Sequence, residues 1–119
     1  MNPNSIVSIH PYFKPHEGKL EEFKAGFQEF IEKTSTEEGC LYYDFSVSDD
    51  LVFCREAYVN GDAALAHLEN VGENLGEALA ISDLIRLEVH GAAAELDKMR
   101  DALKDLPVQW FVLECSLEK

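Results

Sequence analysis

Three residues near the middle of the chain, His67, Glu56 and Tyr43, are of types that suit proton transfer. Glu56 interrupts an apolar strand pattern, and a carboxylate buried there is unfavourable unless hydrogen-bond donors meet it. His67 falls in the next predicted helix, and histidine titrates near neutral pH. We therefore predict an acid–base site in which His67 accepts a proton and Glu56 or Tyr43 orients the imidazole or a ligand.

The same residues also have structural interpretations. Glu56 and Tyr43 could form a buried hydrogen-bonded pair, and a histidine beside an apolar helix stripe could serve packing alone. Tyr58 and Trp110 are candidates for stacking on an aromatic ligand, although they suit a core or a subunit interface equally well. Cys54 lies mid-strand among apolar residues, where a thiol is unreactive.

The stretch from Glu38 to Tyr58 is predicted to be the β-hairpin that brings Tyr43 and Glu56 together. Aromatic and β-branched residues fill both arms, and Asp49-Asp50 is the expected two-residue turn. Opposite charges then face each other across the ladder, which supports this register. The predicted pairs are Ser48 with Leu51, Tyr43 with Glu56, and Asp44 with Arg55.

Composition limits the classes of partner and compartment. The 119 residues suit one domain spanning 1–119, and a net charge of -13 argues against nucleic acid and anionic membranes as partners. No apolar run is long enough for a membrane helix, and the N-terminus lacks a secretory pattern. Cys40 and Cys54 are assigned to opposite hairpin faces, so no disulfide between them is expected, and a cytoplasmic protein is predicted. Metal-binding motifs such as Cys-x-x-Cys are absent from the sequence, so no metal site is predicted.

The remaining pattern alternates strands and helices. Strands are predicted at 5–13, 84–90 and 108–117, and helices at 19–34, from Asn60 or Asp62 to Val71, at 74–81 and at 92–106. Pro11 is expected to fray the first strand or place it at an edge. The order β-α-β-β-α-β predicts an α+β, ferredoxin-like split βαβ fold with an antiparallel sheet and helices on one face. A second copy packed sheet on sheet would cover the other face.

Several segments resemble the antibiotic biosynthesis monooxygenase family over nearly the whole chain. The matching motifs are Glu38-Gly39-Cys40-Leu41-x-Tyr43-Asp44, Phe53-x-x-Glu56-x-Tyr58, Ala63-x-x-Ala66-His67 and Glu95-Leu96-x-x-Met99-Arg100-x-x-Leu103. The resemblance implies a dimeric α+β barrel, and hence a homodimer. It also implies a cofactor-independent monooxygenase acting on a small aromatic quinol or anthrone, because such members use no metal or flavin.

Other members of this family degrade haem with an Asn, Trp and His set. His67 suits such a position, but the only tryptophan, Trp110, is on the last predicted strand, which weakens a haem interpretation. The alternative to an oxygenase is a non-enzymatic dimeric module of the same fold that binds small molecules or acts in a stress response. In the oxygenase hypothesis, His67 deprotonates an electron-rich phenol or enol so that the carbanion can reduce O2.

Overall fold

The computed structural model describes residues 3–117, which form one α+β unit. A turn of 3₁₀ helix at Pro3–Ser5 precedes the first strand. The strands are β1 (Val7–Pro15), β2 (Cys40–Ser48), β3 (Leu51–Tyr58), β4 (Ser82–Gly91) and β5 (Val108–Val112). The helices are α1 (Leu20–Ala25), α2 (Phe27–Thr34), α3 (Gly61–Asn70), α4 (Gly72–Ala80) and α5 (Ala93–Asp97).

The sheet has the strand order β2-β3-β1-β4-β5, with β1 at its centre. The pairs β2–β3, β3–β1 and β1–β4 are antiparallel, and β5 pairs with β4 as a parallel strand. The first four strands and their crossover helices reproduce the split βαβ arrangement, which confirms the predicted ferredoxin-like fold. β5 extends this unit beyond β4.

The central hairpin has the predicted register over most of its length. Tyr43 lies opposite Glu56, Asp44 opposite Arg55, and Ser48 opposite Leu51. Asp49 begins the turn with a φ of 53°, a left-handed conformation that aspartate tolerates better than most residues.

The start of β2 departs from the prediction. The pairing shifts between Cys40 and Tyr42, so that Cys40 lies opposite Tyr58 and packs against the core, while Leu41 turns outward. The assignment of Cys40 and Cys54 to opposite faces of the hairpin was therefore wrong, because a bulge reverses the alternation of side chains. Cys40 and Cys54 share a face, yet both thiols are free, as is that of Cys115.

The bounds of the first strand and of the first helix differ from the prediction. β1 continues through Pro11 to Pro15 in the middle of the sheet, because its ladder with β4 is unbroken where its pairing with β3 skips His10 and Pro11. The prediction that the strand frays at Pro11 was therefore wrong. The helix predicted over 19–34 is divided at Gly26 into α1 and α2.

The predicted helix over 92–106 is reduced to α5, and residues 98–106 form successive turns. Met99 and Leu103 are nevertheless buried, because hydrogen bonds such as Met99 N–H to Leu96 O keep a helix-like path. Asp97, Asp101 and Asp105 recur through this segment, and aspartate is a weak former of helix interiors. β5 ends at Val112 rather than at Leu117.

Helices and sheet enclose two clusters of buried apolar residues. One centres on Val7, Ile9, Tyr58, Val89 and Leu96, and the other on Phe13, Phe23, Phe30, Val52 and Val71. The opposite sheet face carries half-buried rings, with Tyr12 and Phe53 at a centroid distance of 4.7 Å. Within residues 3–117, none of the helices has the length and apolar character needed to span a membrane.

Candidate active site

Helix α3 places His67 in the protein interior. Asn60 caps the helix, with its side-chain oxygen accepting a hydrogen bond of 2.8 Å from the Ala63 N–H. The helical repeat then directs Ala64, His67 and the following Val71 toward the sheet. His67 is only 2% exposed, so it belongs to the buried face of α3 rather than to its margin.

Glu37, which the sequence analysis did not select, is the closest charged partner of His67. The two carboxylate oxygens of Glu37 lie 3.0 and 2.9 Å from His67 Nδ1. Asn70 Nδ2 donates to Glu37 at 2.8 Å and to the Lys33 carbonyl at 2.9 Å. Asn70 lies three positions after His67 in α3, and this spacing was the only sequence signal for a polar group beside the histidine.

Glu56 approaches the other nitrogen of His67. Its Oε1 lies 3.5 Å from His67 Nε2 and accepts a hydrogen bond of 2.7 Å from the Tyr58 hydroxyl. Burial raises the pKa of Glu56 to about 7, since the loss of water outweighs the hydrogen bonds from Tyr58 and Cys54, and nearby Glu37 adds to the rise. Glu56 therefore takes up or releases a proton close to neutral pH.

The imidazole of His67 contacts two phenol rings. Its centroid lies 5.0 Å from that of Tyr43 and 4.9 Å from that of Tyr58. Burial lowers the pKa of His67, and the carboxylate of Glu37 opposes that change. Burial also raises the pKa values of Tyr43, Tyr58 and Cys54, so these three groups stay protonated near neutral pH.

A cavity of about 130 Å³ lies beside these groups, between helices and sheet. Among residues 3–117, its polar lining consists of Tyr43, Cys54, Glu56 and His67, and neither lysine nor arginine lines it. Apolar side chains from both core clusters form the remaining wall, among them Ile9, Phe13, Phe23, Phe30, Leu75 and Leu87. The arrangement provides an apolar chamber with proton-transferring groups on its wall.

The structure brings together three of the five predicted site residues around this cavity: His67, Glu56 and Tyr43. Tyr58 is fully buried behind Glu56 and does not line the chamber. Trp110 lies elsewhere, with the guanidinium of Arg100 at 4.7 Å from its ring centroid. Ligand binding by Tyr58 and Trp110 therefore stays a prediction.

No cluster of three or more His, Cys, Asp or Glu side chains suited to a metal ion occurs within residues 3–117.

Comparison with known proteins gives concordant results. The family model of antibiotic biosynthesis monooxygenase matches residues 6–72. MupZ from Pseudomonas fluorescens is 43% identical, with a TM-score of 0.90 over 98% of this chain and 96% of that chain. No protein with curated function matches the sequence.

More distant structures share the fold alone. A conserved protein from Methanosarcina mazei is 16% identical, with a TM-score of 0.68, and the match covers 74% of this chain and 93% of that one. Rv0793 from Mycobacterium tuberculosis is 22% identical, with a TM-score of 0.63 and coverage of 71% and 92%, respectively.

Proposed function

Because the chain belongs to the antibiotic biosynthesis monooxygenase family, we propose that it is an acid–base enzyme acting on a small, largely apolar molecule. In this proposal, proton removal in the core cavity begins the cofactor-independent monooxygenation of an aromatic quinol or anthrone. The main supporting observation is the buried Glu56 carboxyl, which lines the cavity beside His67 and has a pKa of about 7. A general base works best when its pKa lies near the working pH.

The proton acceptor is the Glu56–His67 pair. Both groups line the cavity, and Oε1 of Glu56 lies 3.5 Å from Nε2 of His67. Glu37 occupies Nδ1 and so directs Nε2 toward Glu56. Tyr43, whose phenol stays protonated, is suited to donate a hydrogen bond to a ligand oxygen that gains negative charge.

The subsequent chemistry belongs to the substrate and O2. The deprotonated carbon transfers electrons to O2 and forms a carbon–oxygen bond, and the resulting peroxide anion takes up one proton to give a hydroperoxide. Loss of water then leaves one oxygen atom as a carbonyl on the substrate carbon, while the second oxygen leaves in the water. The apolar chamber excludes bulk water from the carbanion, which would otherwise be reprotonated.

The cavity wall supports a neutral substrate. A carboxylate or phosphate held there would lie near Glu56, and in the described part of the chain no lysine or arginine lines the cavity to compensate its charge. Phenylalanine rings on the wall suit an aromatic body.

Oxygen uptake by metal-free protein tests this proposal. A panel of anthrones and dihydroxynaphthalenes is offered to the wild type and to the Glu56→Gln and His67→Gln variants. Removal of a positioned base is expected to lower the rate by about 10²–10⁴. Glu38→Gln, which removes an exposed carboxylate beside Glu37, serves as the control and should retain the wild-type rate. Wild-type rates in both site variants would contradict the proposal.

A non-enzymatic binding module is the second candidate. The mutual hydrogen bonds of Tyr58 with Glu56 and of Glu37 with His67 favour it, because such pairs also satisfy buried polar groups structurally. Calorimetry with the same panel separates the candidates. Binding without oxygen uptake would support the module and contradict the oxygenase.

A homodimer in the cytoplasm completes the proposal. The rings of Tyr12 and Phe53 are half-buried on the face of the sheet that is opposite the helices. They support a second copy of the chain as the cover of that face. Three free cysteines support a reducing compartment.

A further inference from the structure

Three ionisable side chains form a line from the protein surface to the core cavity. Glu37 Oε2 lies 2.9 Å from His67 Nδ1, and His67 Nε2 lies 3.5 Å from Glu56 Oε1. The side-chain exposure is 11% for Glu37, 2% for His67 and 6% for Glu56. Glu56 and His67 line the cavity, whereas Glu37 does not.

Glu37 faces a separate surface groove of about 240 Å³. The groove runs between the end of α2 and the start of β2, and its wall includes Ile31, Thr34, Glu37, Leu41 and Tyr43. Leu41 stands there because the bulge at the start of β2 turns it outward. The carboxylate of Glu37 therefore connects an open surface groove with a buried imidazole.

The other polar groups near Glu56 do not ionise near neutral pH. Tyr43 and Cys54 remain protonated near neutral pH because burial raises their pKa values. Tyr58 is fully buried, and its hydroxyl donates a hydrogen bond to Glu56. Within residues 3–117, the contacts from Glu56 through His67 to Glu37 form a chain of carboxylate and imidazole groups that ends at the groove.

We propose that Glu37, His67 and Glu56 form a proton path in which Glu37 is the solvent-side group. The path deepens the proposed function, since it returns to water the proton that Glu56 takes from a bound molecule. The proton passes from Glu56 to Nε2 after a small side-chain rotation closes the gap between them. Nδ1 then releases its proton to Glu37, which passes it to water in the groove. A proton that enters from water by the reverse steps restores the original tautomer, and from Glu56 it protonates the peroxide anion, so that no proton is gained or lost over one turnover. Glu37 touches no bound molecule and acts through His67.

The hydroxyl proton of Tyr58 reports on this path without any substrate. Tyr58 is fully buried and donates to Glu56 at 2.7 Å, so its proton lies at the inner end of the path. Tyrosine labelled with ¹³C at Cζ shows distinct signals for OH and OD in equal parts of H2O and D2O. The NMR exchange rate of Tyr58 is measured in the wild type and in Glu37→Gln. Glutamine keeps the size and the hydrogen-bonding oxygen of Glu37 but cannot carry a proton.

We expect Glu37→Gln to slow exchange of the Tyr58 hydroxyl by about 10²-fold, as removal of a proton-transfer group does elsewhere. Glu37→Asp, which keeps a carboxylate, should recover part of the rate, and Glu38→Gln should match the wild type. Backbone amide exchange in β3, measured on the same samples, should be unchanged. A merely structural role of Glu37 would alter amide and hydroxyl exchange together.

Two results would overturn the path. One is an unchanged Tyr58 exchange rate in Glu37→Gln. The other is a wild-type hydroxyl that exchanges no faster than the core amides of β3. If Glu37→Gln does not fold, His67→Gln cuts the path at its middle and must slow the exchange likewise, and a wild-type rate there also overturns the path. The assay uses no substrate, so absence of oxygen uptake would refute the proposed function while leaving the path intact.

Discussion

At the residue scale, the raised pKa of Glu56 makes the stability of the folded protein depend on pH. Its pKa rises from 4.5 to about 7 in the folded protein, so the native state binds this proton more tightly than the unfolded chain does. The contribution of Glu56 to the free energy of unfolding is complete below its pKa in the unfolded chain. It is lost as the pH rises through its pKa in the folded protein. His67 acts in the opposite sense, because its lowered pKa costs stability as pH falls.

Glu56→Gln isolates the glutamate contribution. Glutamine cannot ionise, so the stability of the variant relative to the wild type should increase between pH 5 and pH 8 by up to about 3 kcal/mol. Urea unfolding at both pH values measures the change. A constant difference between the two proteins would show that Glu56 titrates at its ordinary pKa.

The residue pattern predicted only part of this site. Glu56 and Tyr43 could be paired because strand alternation and a two-residue turn fix which side chains meet. His67 could be placed on α3, but its burial depends on how the helix packs. Glu37 could not be identified, since it lies in the connection after α2 and meets His67 through tertiary packing across 30 positions of sequence.

At the element scale, α3 and the residue that precedes β2 are closely packed. A Cβ atom added at Gly39 would lie 2.6 Å from Cβ of Ala63 in α3, closer than two such atoms approach. β2 must then move away from the helix that carries His67.

Gly39→Ala is therefore expected to destabilise the protein by about 1–3 kcal/mol. Gly76→Ala is the matched control, because no atom lies within 4 Å of the added methyl group and alanine favours the helix α4. We expect that control to be neutral or stabilising by about 0.5–1 kcal/mol. Urea unfolding compares the two, and equal effects would contradict the tight contact.

Helices and strands could be predicted from the sequence where the local conformational preferences of the residues agree with their packing in the fold. The hairpin combines β-forming residues with a clear turn, and its register follows. The segment 92–106 has helical apolar spacing, yet it holds only α5, because that spacing also suits turns that bury Met99 and Leu103. Apolar period alone does not distinguish these two paths.

At the scale of the whole molecule, the uncovered sheet face predicts a homodimer. Sedimentation at micromolar concentration should give about twice the chain mass of 13.4 kDa. Phe53→Glu, which places a charge among the rings of that face, should yield monomers. Val47→Lys is the control, since Val47 pairs with Val52 on the helix-covered face and is exposed. A monomeric wild type would refute this arrangement.

The proposed acid–base groups and their hydrogen-bond partner Asn70 occupy one continuous part of the chain. Glu37, Glu56, His67 and Asn70 all fall between positions 37 and 70, in the unit formed by β2, β3, α3 and the connection that precedes β2. Most apolar residues of the cavity wall come from the segments before and after that unit. Recombination within the fold could therefore exchange the wall of the chamber while the proposed proton-transfer unit is inherited intact.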